Sequence, residues 1–337
     1  MKDIKIGITA GDPNGVGYEV IFKSLIDEHV LELCTPIIYG GIEAAKEHLK
    51  FLDDDIRKIQ LHVVSDAANA KLGCINFVNC FTEVKVQLGQ RDTKAGEAAR
   101  LCLEKAIKDW KSNNISALVT APICKETIRS EEFPWEGHTE WLEDAVKQEG
   151  LMMFVSDNLR VGLVTNHLPI AELSEALTPE LIEKKLLLLN TTLKNDFGIE
   201  KPRIAVLGLN PHAGDGGVIG QEEQSVIIPV VKKLNEEGLM LFGPYAADGF
   251  WGSGKYRLFD AVMAMYHDQA LIAFKLLDMS GVNMTAGLDI VRTSPDHGTC
   301  FDIAGKNMAD EMSMRHAIWL AIDTLNKRRQ IIPNTQL

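Results

Sequence analysis

Short apolar segments recur along this sequence and are separated by longer amphipathic stretches. They are IKIGIT (4–9), TPIIYG (35–40), ISALVT (115–120), RVGLVT (160–165), RIAVLGL (203–209) and DAVMAMY (260–266). Each is too short for a helix and rich in β-branched or large aliphatic residues, which is typical of strands buried on both faces of a parallel sheet. Their alternation with amphipathic stretches predicts an α/β fold with largely parallel sheets.

Helices are predicted between these strands, over residues 96–111, 139–148, 179–194, 221–237 and 310–328. The chain has 337 residues, of which 46% are hydrophobic, and this length suits two domains better than one. The turn-rich segment SEEFPWEGHTE (130–140) is the best candidate for the boundary between them.

The composition argues against several classes of function. The formal net charge is −12, whereas binding nucleic acid requires clustered Lys and Arg to neutralise phosphates. No apolar run approaches the roughly 18 residues of a membrane-spanning helix, and the first residues lack the apolar core of a signal peptide. The six cysteines form no C-x-x-C pair, so we interpret them as reduced thiols in a cytoplasmic protein.

Three of the predicted strands are followed by a histidine, namely His167, His212 and His267. The carboxyl ends of parallel strands share one edge of a sheet, so the three imidazoles can converge there on a divalent metal. Taken singly, each histidine is better explained as a loop residue or a hydrogen-bond partner. The repeated position favours the metal site. Asp215 and Asp268 lie beside it in sequence, where they can orient an imidazole, move a proton or only cap a loop.

Two glycine-rich segments require interpretation. GLNPHAGDGGVIGQEE (208–223) surrounds His212 with glycines, and we interpret it as a metal-ligand turn whose glycines leave room for a substrate, rather than as a phosphate cradle. GITAGDPNGVGYE (7–19) matches neither a dinucleotide-binding fingerprint nor a Walker loop, so a simple turn explains it better than an anion site.

The segment EGHTE (136–140) is a stronger candidate for binding an anion. It places His138 and Thr139 where a helix should begin, so that side chains and backbone N–H groups can grip a phosphate together. An N-cap formed by Thr139 explains part of the pattern without a ligand. Further along the chain, Lys275 and Arg292 supply positive charge and Asn283 supplies a neutral donor.

Several long segments resemble the 4-hydroxythreonine-4-phosphate dehydrogenases of pyridoxal phosphate biosynthesis. They are GITAGDPNGVG (7–17), LVTAPICK (118–125), GHTEWL (137–142), GLNPHAGDGG (208–217), GPYAAD (243–248), YHDQ (266–269) and RTSPDHGT (292–299). The resemblance runs nearly end to end and implies a homodimer whose active site draws on both subunits. It implies that a divalent metal is held by His167, His212 and His267. It also implies that the phosphorylated substrate is bound by His138, Thr139, Lys275, Asn283 and Arg292.

A more distant resemblance concerns DHGTCFDIAGKNMAD (296–310), which is similar to the adenine-binding loop of isocitrate and isopropylmalate dehydrogenases. It implies their fold, with two α/β/α domains and the active site in the cleft between them. It makes His297, Gly298 and Asp310 the candidates for binding the adenosine end of NAD or NADP, although Asn often replaces Asp310 in those relatives.

With this fold we expect two domains. Residues 1–134 plus 285–337 would form the domain on the cofactor side, and residues 135–284 would form the domain that carries the metal histidines and dimerises.

The implied reaction is oxidative decarboxylation of 4-hydroxythreonine 4-phosphate to 3-amino-2-oxopropyl phosphate. NAD or NADP accepts the hydride, and zinc, cobalt or magnesium is the metal. A base must take the proton of the substrate hydroxyl group. Asp268, Asp248 and Lys275 are the candidates, and Asp268 is favoured because it adjoins a metal ligand.

Two departures from the family pattern leave other functions open. The spacing between Lys275 and Asn283 is shorter than in the family, and Asp289 stands near the proposed anion site where an uncharged residue is usual. They favour, as an alternative substrate, a four-carbon sugar-acid phosphate such as threonate or erythronate 4-phosphate. A phosphate acyltransferase and a non-catalytic metal- or nucleotide-binding protein are further alternatives.

Overall fold

The computed structural model describes residues 4–27 and 29–331. Its strands are β1 Lys5–Thr9, β2 Thr35–Gly40, β3 Leu61–Val64, β4 Ile75–Asn79, β5 Ala117–Thr120, β6 Leu151–Val155, β7 Arg160–Leu163, β8 Arg203–Leu207, β9 Met240–Tyr245, β10 Ala261–Ala264, β11 Val282–Ala286 and β12 Val291–Pro295. Its α-helices are α1 Gly17–Leu25, α2 His29–Leu33, α3 Ile42–Leu49, α4 Asp54–Arg57, α5 Thr93–Lys111, α6 Lys125–Ile128, α7 His138–Val146, α8 Leu173–Ala176, α9 Pro179–Asn195, α10 Ile228–Glu236, α11 Ala247–Gly252, α12 His267–Leu277 and α13 Met312–Ile331. None of these helices is long and apolar enough to cross a lipid bilayer.

The described chain divides into two compact units. Unit 1 contains the described residues up to Gln148 together with Leu288–Asn326. Unit 2 contains Glu149–Gly287 and the described residues from Lys327 onward. The predicted boundaries after residue 134 and before residue 285 instead fall after Gln148 and before Leu288. The described residues from Lys327 onward belong to unit 2, although the prediction placed them in the first domain. The predicted chain ends, residues 1–3 and 332–337, lie outside the described residues.

The first boundary falls later than predicted because the turn-rich segment belongs to the core of unit 1. Phe133 is fully buried there, and its ring stacks on that of Trp141 with 6.3 Å between centroids. Trp141 and Leu142 bury the inner face of α7 in the same hydrophobic cluster. Glycine, proline and charged residues therefore mark a surface turn of unit 1, and the chain leaves the unit only after α7.

Unit 1 is built on a sheet whose strands run in the order β3-β4-β2-β1-β5-β12. All of its neighbouring strands pair in parallel. The central strands β1, β2 and β5 are buried almost throughout, which explains their continuous apolar sequences.

Unit 2 contains a mixed sheet in the order β11-β6-β7-β10-β8-β9. The pairs from β7 to β9 are parallel, whereas β6 is antiparallel to both β7 and β11. A tight turn joins β6 to β7, with the Ser156 N–H donating to the Leu159 carbonyl at 2.8 Å, and so short a connection permits only antiparallel pairing. The predicted α/β fold with largely parallel sheets is confirmed.

Helix boundaries follow local capping. α9 begins at Pro179, as predicted, because the Thr178 hydroxyl accepts from the Leu181 N–H at 3.2 Å and proline suits the first helical position. α5 begins earlier than predicted, since Asp92 caps it by accepting from the Lys94 N–H at 3.1 Å. The helix predicted over 221–237 is a π-helical turn, Glu223–Ile227, followed by α10.

The glycine-rich segment 7–19 is a turn held by its own polar groups. The buried Asp12 carboxylate accepts from the Asn14 N–H at 2.9 Å and from the Thr127 hydroxyl at 3.3 Å. Burial raises the pKa of this carboxyl group. Gly17 permits close packing, because a Cβ there would lie 2.1 Å from the Ala10 carbonyl oxygen. These contacts account for the segment without an anion.

Candidate functional site

The three strands that precede the candidate metal histidines are direct neighbours in unit 2. β10 pairs in parallel with β7 on one side and β8 on the other. His167, His212 and His267 follow the carboxyl ends of these strands. The sequence argument that placed three histidines after one sheet edge therefore matches the observed strand order.

Two of these histidines lie close together. The ring centroids of His167 and His267 are 5.5 Å apart. His267 Nδ1 lies 2.8 Å from an oxygen of Asp268. A carboxylate accepts a hydrogen bond from Nδ1–H in such a pair, which leaves Nε2 as the nitrogen that can bind a metal.

The third histidine sits on a left-handed turn. Residues 212–216 all have positive φ, including the non-glycine residues His212 (55°), Ala213 (52°) and Asp215 (43°). Such a conformation costs a non-glycine residue on the order of 1–3 kcal/mol and persists only where surrounding contacts impose it. The glycines of this segment therefore serve first to make the turn possible.

A buried carboxylate imposes this turn. Glu223 is fully buried, and one of its oxygens accepts from the N–H groups of Leu209 and Asn210, both at 2.7 Å. Its other oxygen accepts from the Asn210 side-chain amide at 3.0 Å. A Cβ at Gly214 would lie 2.6 Å from that second oxygen, so only glycine fits there. Glu223 was not predicted as a site residue, because its only signal in the sequence is a pair of glutamates after the glycine loop.

The donor chemistry at this edge suits a divalent metal, since imidazole is a ligand of zinc and cobalt. Within residues 4–27 and 29–331, no three His, Cys, Asp or Glu side chains are already clustered as a metal-binding group. The structure brings His167 and His267 together and places His212 on the neighbouring turn.

Unit 1 carries a separate cationic site at the start of α7. Arg292 on β12 is 2% exposed, and its guanidinium donates to the Thr120 hydroxyl at 2.7 Å and 3.2 Å. Burial lowers the pKa of Arg292 to about 10, and Glu140 opposes that shift. The guanidinium is therefore still protonated at neutral pH. Thr120, which ends β5, is a site residue that sequence analysis did not single out.

His138 begins α7 beside this arginine. Its pKa lies well below the ordinary value of 6.5, first because the ring is buried and then because Arg292 and Lys125 are positively charged. The ring is therefore neutral at neutral pH. Its Nε2 atom is buried and has no hydrogen-bond partner among the described residues. An unsatisfied buried polar atom costs roughly 1–3 kcal/mol, which a ligand here would recover.

The N-cap of α7 is Gly137, so the alternative explanation of Thr139 as the N-cap is wrong. Thr139 lies in the first turn and is 4% exposed. No side chain caps the helix at Gly137, which leaves the positive end of the helix dipole directed at the cationic site.

The remaining substrate and base candidates lie in unit 2. Asn283 is on β11, and its side-chain oxygen is buried without a hydrogen-bond partner among the described residues. Lys275 is half-buried in the last turn of α12. Asp268 is exposed and engaged with His267. Asp248 is exposed on α11, and its side chain forms no hydrogen bond or ion pair within the part of the chain that the structure describes.

The loop that resembles an adenine-binding segment precedes α13. His297 Nδ1 lies 2.9 Å from the Gly298 carbonyl oxygen, and its Nε2 atom is buried without a partner among the described residues. A Cβ at Gly298 would meet no atom within 4 Å, so the loop is open there. Asp310 accepts from the Met312 N–H at 2.7 Å and caps α13. Its carboxylate thus has a structural role that the sequence did not indicate.

Asp289, the acidic residue that departs from the family pattern, pairs with the side chain of Gln148. Its carboxylate accepts from the Gln148 amide at 2.6 Å, and its N–H donates back to the same side chain at 2.9 Å. Glu140 is the carboxylate that acts on the pKa of Arg292. Asp289 therefore gives no reason to expect a different substrate.

Known proteins resemble the chain over nearly its whole length. Residues 32–321 match the family of the pyridoxal phosphate biosynthetic protein PdxA. A 4-hydroxythreonine-4-phosphate dehydrogenase of Bacteroides thetaiotaomicron is 52% identical over 97% of this chain and 90% of its own length. The crystal structure of a 4-hydroxythreonine-4-phosphate dehydrogenase from Burkholderia phymatum is 37% identical, with a TM-score of 0.78 over 96% of this chain and 99% of that one.

A more distant structure, an isocitrate dehydrogenase from Methylococcus capsulatus, has a TM-score of 0.51 at 12% identity and covers 97% of this chain and 88% of its own. It shows the shared fold alone. Fold and relatives together define an oxidoreductase with the isocitrate dehydrogenase-like α/β fold. The chain belongs to the PdxA family of pyridoxal phosphate biosynthetic proteins, which confirms the resemblance found in the sequence.

Proposed function

We propose that this protein is a 4-hydroxythreonine-4-phosphate dehydrogenase that oxidises and decarboxylates its substrate to 3-amino-2-oxopropyl phosphate, using NAD or NADP and a divalent metal. The observation that carries the proposal is the buried cationic site of unit 1. There a protonated arginine, Arg292, and an unsatisfied ring nitrogen of His138 lie at the start of a helix that no side chain caps. This combination suits a phosphate group.

The residues of unit 1 would hold the phosphate. Arg292 supplies a charge whose orientation is fixed by Thr120. Neutral His138 can donate one hydrogen bond through Nε2 without adding a charge, and Thr139 adds a hydroxyl group in the same helical turn. Lys275 and Asn283 of unit 2 are further substrate-binding candidates, and the unsatisfied side-chain oxygen of Asn283 supports that role.

His167, His212 and His267 would hold the metal. A bound zinc, cobalt or magnesium ion supplies Lewis-acid polarisation of the substrate oxygen during oxidation and decarboxylation. Asp268 fixes the tautomer of His267 by accepting a hydrogen bond from its Nδ1–H group. We therefore assign Asp268 an orienting role. Asp248 and Lys275 are then the candidates for taking the hydroxyl proton, in place of the Asp268 favoured from the sequence.

The cofactor would bind at the loop before α13. If Nδ1 of His297 donates to the Gly298 carbonyl, its Nε2 atom is an acceptor. That acceptor matches the exocyclic amino group of adenine, and the open surface at Gly298 permits close approach. Asp310 supports the loop by capping α13.

We also propose that the protein is a homodimer. Unit 2 presents an apolar stripe on and just after α12, in which Ile272, Leu276 and Met279 are 63%, 83% and 77% exposed. Large apolar side chains exposed in a row are typical of a surface that another chain covers. The family resemblance supports a second copy as that chain.

The test is reduction of NAD or NADP by the purified protein, followed by NADH or NADPH absorbance with zinc, cobalt or magnesium added. Parallel reactions contain 4-hydroxythreonine 4-phosphate, threonate 4-phosphate or erythronate 4-phosphate. We expect metal-dependent reduction with the first substrate at a kcat/KM at least about tenfold above the other two. Preference for a sugar-acid phosphate would overturn the substrate assignment, and metal-independent turnover would overturn the role of the histidines.

A further inference from the structure

Lys125 ends the motif LVTAPICK (118–125), and the proposed function gives it no role. It is the first residue of α6 and is exposed. A Cβ placed on Gly137, the residue before His138, would lie 3.7 Å from Cε of Lys125. The end of this side chain therefore lies beside the first turn of α7.

The ammonium group of Lys125 forms no ion pair among the described residues, although Glu140 Oε2 also lies beside Gly137. Many lysines of unit 1 pair with a carboxylate, as Lys23 does with Glu19 at 2.9 Å. Within residues 4–27 and 29–331, Lys125 has no carboxylate at ion-pair distance. The positive charge of Lys125 acts on the site, because it contributes to lowering the pKa of His138.

The charges around His138 are unbalanced. Arg292 and Lys125 are both positive, whereas Glu140 is the one carboxylate that acts on Arg292. Beside them, the Nε2 atom of His138 is buried without a hydrogen-bond partner among the described residues. Excess positive charge next to an unsatisfied buried nitrogen is the arrangement expected where an anion belongs.

We infer that Lys125 is a further substrate-positioning residue, whose ammonium binds the phosphate group held by Arg292, His138 and Thr139. This inference rests on the proposed function, which makes a phosphate monoester the ligand. A phosphate monoester carries about −1.5 to −2 charges at neutral pH, so one arginine does not neutralise it. Arg292 would fix the orientation of the phosphate through the two parallel N–H groups of its planar guanidinium. Lys125 would add a mobile positive charge from the neighbouring helix α6.

The experiment compares the variants Lys125→Met and Lys125→Arg with the matched control Lys108→Met, which removes an exposed lysine on α5 of the same unit. Calorimetry measures the binding of inorganic phosphate, and steady-state kinetics measure KM and kcat. We expect Lys125→Met to weaken phosphate binding about tenfold or more, since a charge-assisted hydrogen bond is lost. KM should rise by a similar factor with kcat changed less than about threefold.

Lys125→Arg keeps the charge and should recover most of the binding, and Lys108→Met should match the unaltered protein. The inference is overturned if Lys125→Met binds inorganic phosphate within about twofold of the unaltered protein while Arg292→Met does not. Phosphate binding is measured without turnover. A protein that binds phosphate through Lys125 but oxidises none of the three substrates would therefore refute the proposed function and leave the phosphate-binding role intact.

Discussion

The proposed phosphate site of unit 1 and the histidine edge of unit 2 rest on different kinds of backbone. His138 begins a regular helix whose inner face lies in the core of unit 1, and Arg292 is on a buried strand. His212 lies on a left-handed turn that a single buried carboxylate, Glu223, holds in place. The first site is maintained by the packing of a whole unit, whereas the second depends on a few local hydrogen bonds. Single substitutions next to the ligands should therefore damage the second site more.

The largest effect is expected from His212→Ala. Removing one of three imidazole ligands should lower cobalt affinity by at least about 100-fold and reduce activity in proportion. Calorimetric titration with cobalt measures the affinity, and His29→Ala, at an exposed histidine of unit 1, is the control. Unchanged metal content and activity in His212→Ala would mean that this edge is not the metal site.

A smaller effect is expected from Glu223→Gln. In this variant an NH2 group replaces one carboxylate oxygen. The Asn210 side-chain amide then loses its acceptor, and two hydrogen-bond donors face each other. We expect metal affinity to fall about 10- to 100-fold and the free energy of unfolding to fall by about 1–3 kcal/mol. Glu236→Gln is the control, because Glu236 is exposed on α10 of the same unit.

Inorganic phosphate binding distinguishes a local effect of Glu223→Gln from a global one. If the two sites are independent, phosphate binding in unit 1 should stay within about twofold of the unaltered protein. Equal loss of metal and phosphate binding would show that the two sites depend on the same packing, which would remove the contrast between them.

The buried ring of His138 should make the stability of the protein depend on pH. Its folded-state pKa lies below its unfolded value near 6.5, so the unfolded state binds the proton first as the pH falls. The contribution of neutral His138 to the free energy of unfolding is fully present above about pH 6.5. It is lost as the pH falls below that value, by up to about 1.4 kcal/mol per pH unit. Urea unfolding between about pH 5 and pH 8 should show a shallower acid loss for His138→Gln.

His48 is also buried, and burial lowers its pKa as well. It is present in both proteins, so the difference between their pH profiles reports on His138 alone. Identical profiles would mean that His138 is exposed to solvent in solution.

The smallest effect is expected from Asp310→Ala. Loss of the cap on α13 should lower the free energy of unfolding by about 1 kcal/mol, with the KM for NAD unchanged. A rise in that KM of about tenfold without loss of stability would instead make Asp310 a direct cofactor ligand, as the sequence resemblance implies.

The sequence predicted what depends on local pattern. The buried strands β2 and β8 were recognisable because their apolar residues run without interruption. Strands with polar or half-exposed residues were missed, such as β3, β9 with its internal Pro244, and β11 with Asn283. The histidine edge was predictable because strand ends fix where residues emerge, and β7, β10 and β8 are neighbours.

Contacts between distant residues were not predictable in this way. The sequence around Glu223 does not indicate that its carboxylate accepts hydrogen bonds from the backbone of residues 209 and 210. The pairing of Asp289 with Gln148 joins residues far apart in the chain, and the sequence alone suggested that Asp289 would disturb the anion site. Partners of buried polar groups are set by the tertiary fold, so they need the structure.

The discontinuous course of unit 1 has a consequence for the order in which the protein is made. All six strands of unit 2 lie within residues 149–287, so each of them is synthesised before β12. Unit 1 must wait for β12, which pairs with β5 and carries Arg292. The strands that precede the three candidate metal ligands are thus made before the arginine of the proposed phosphate site.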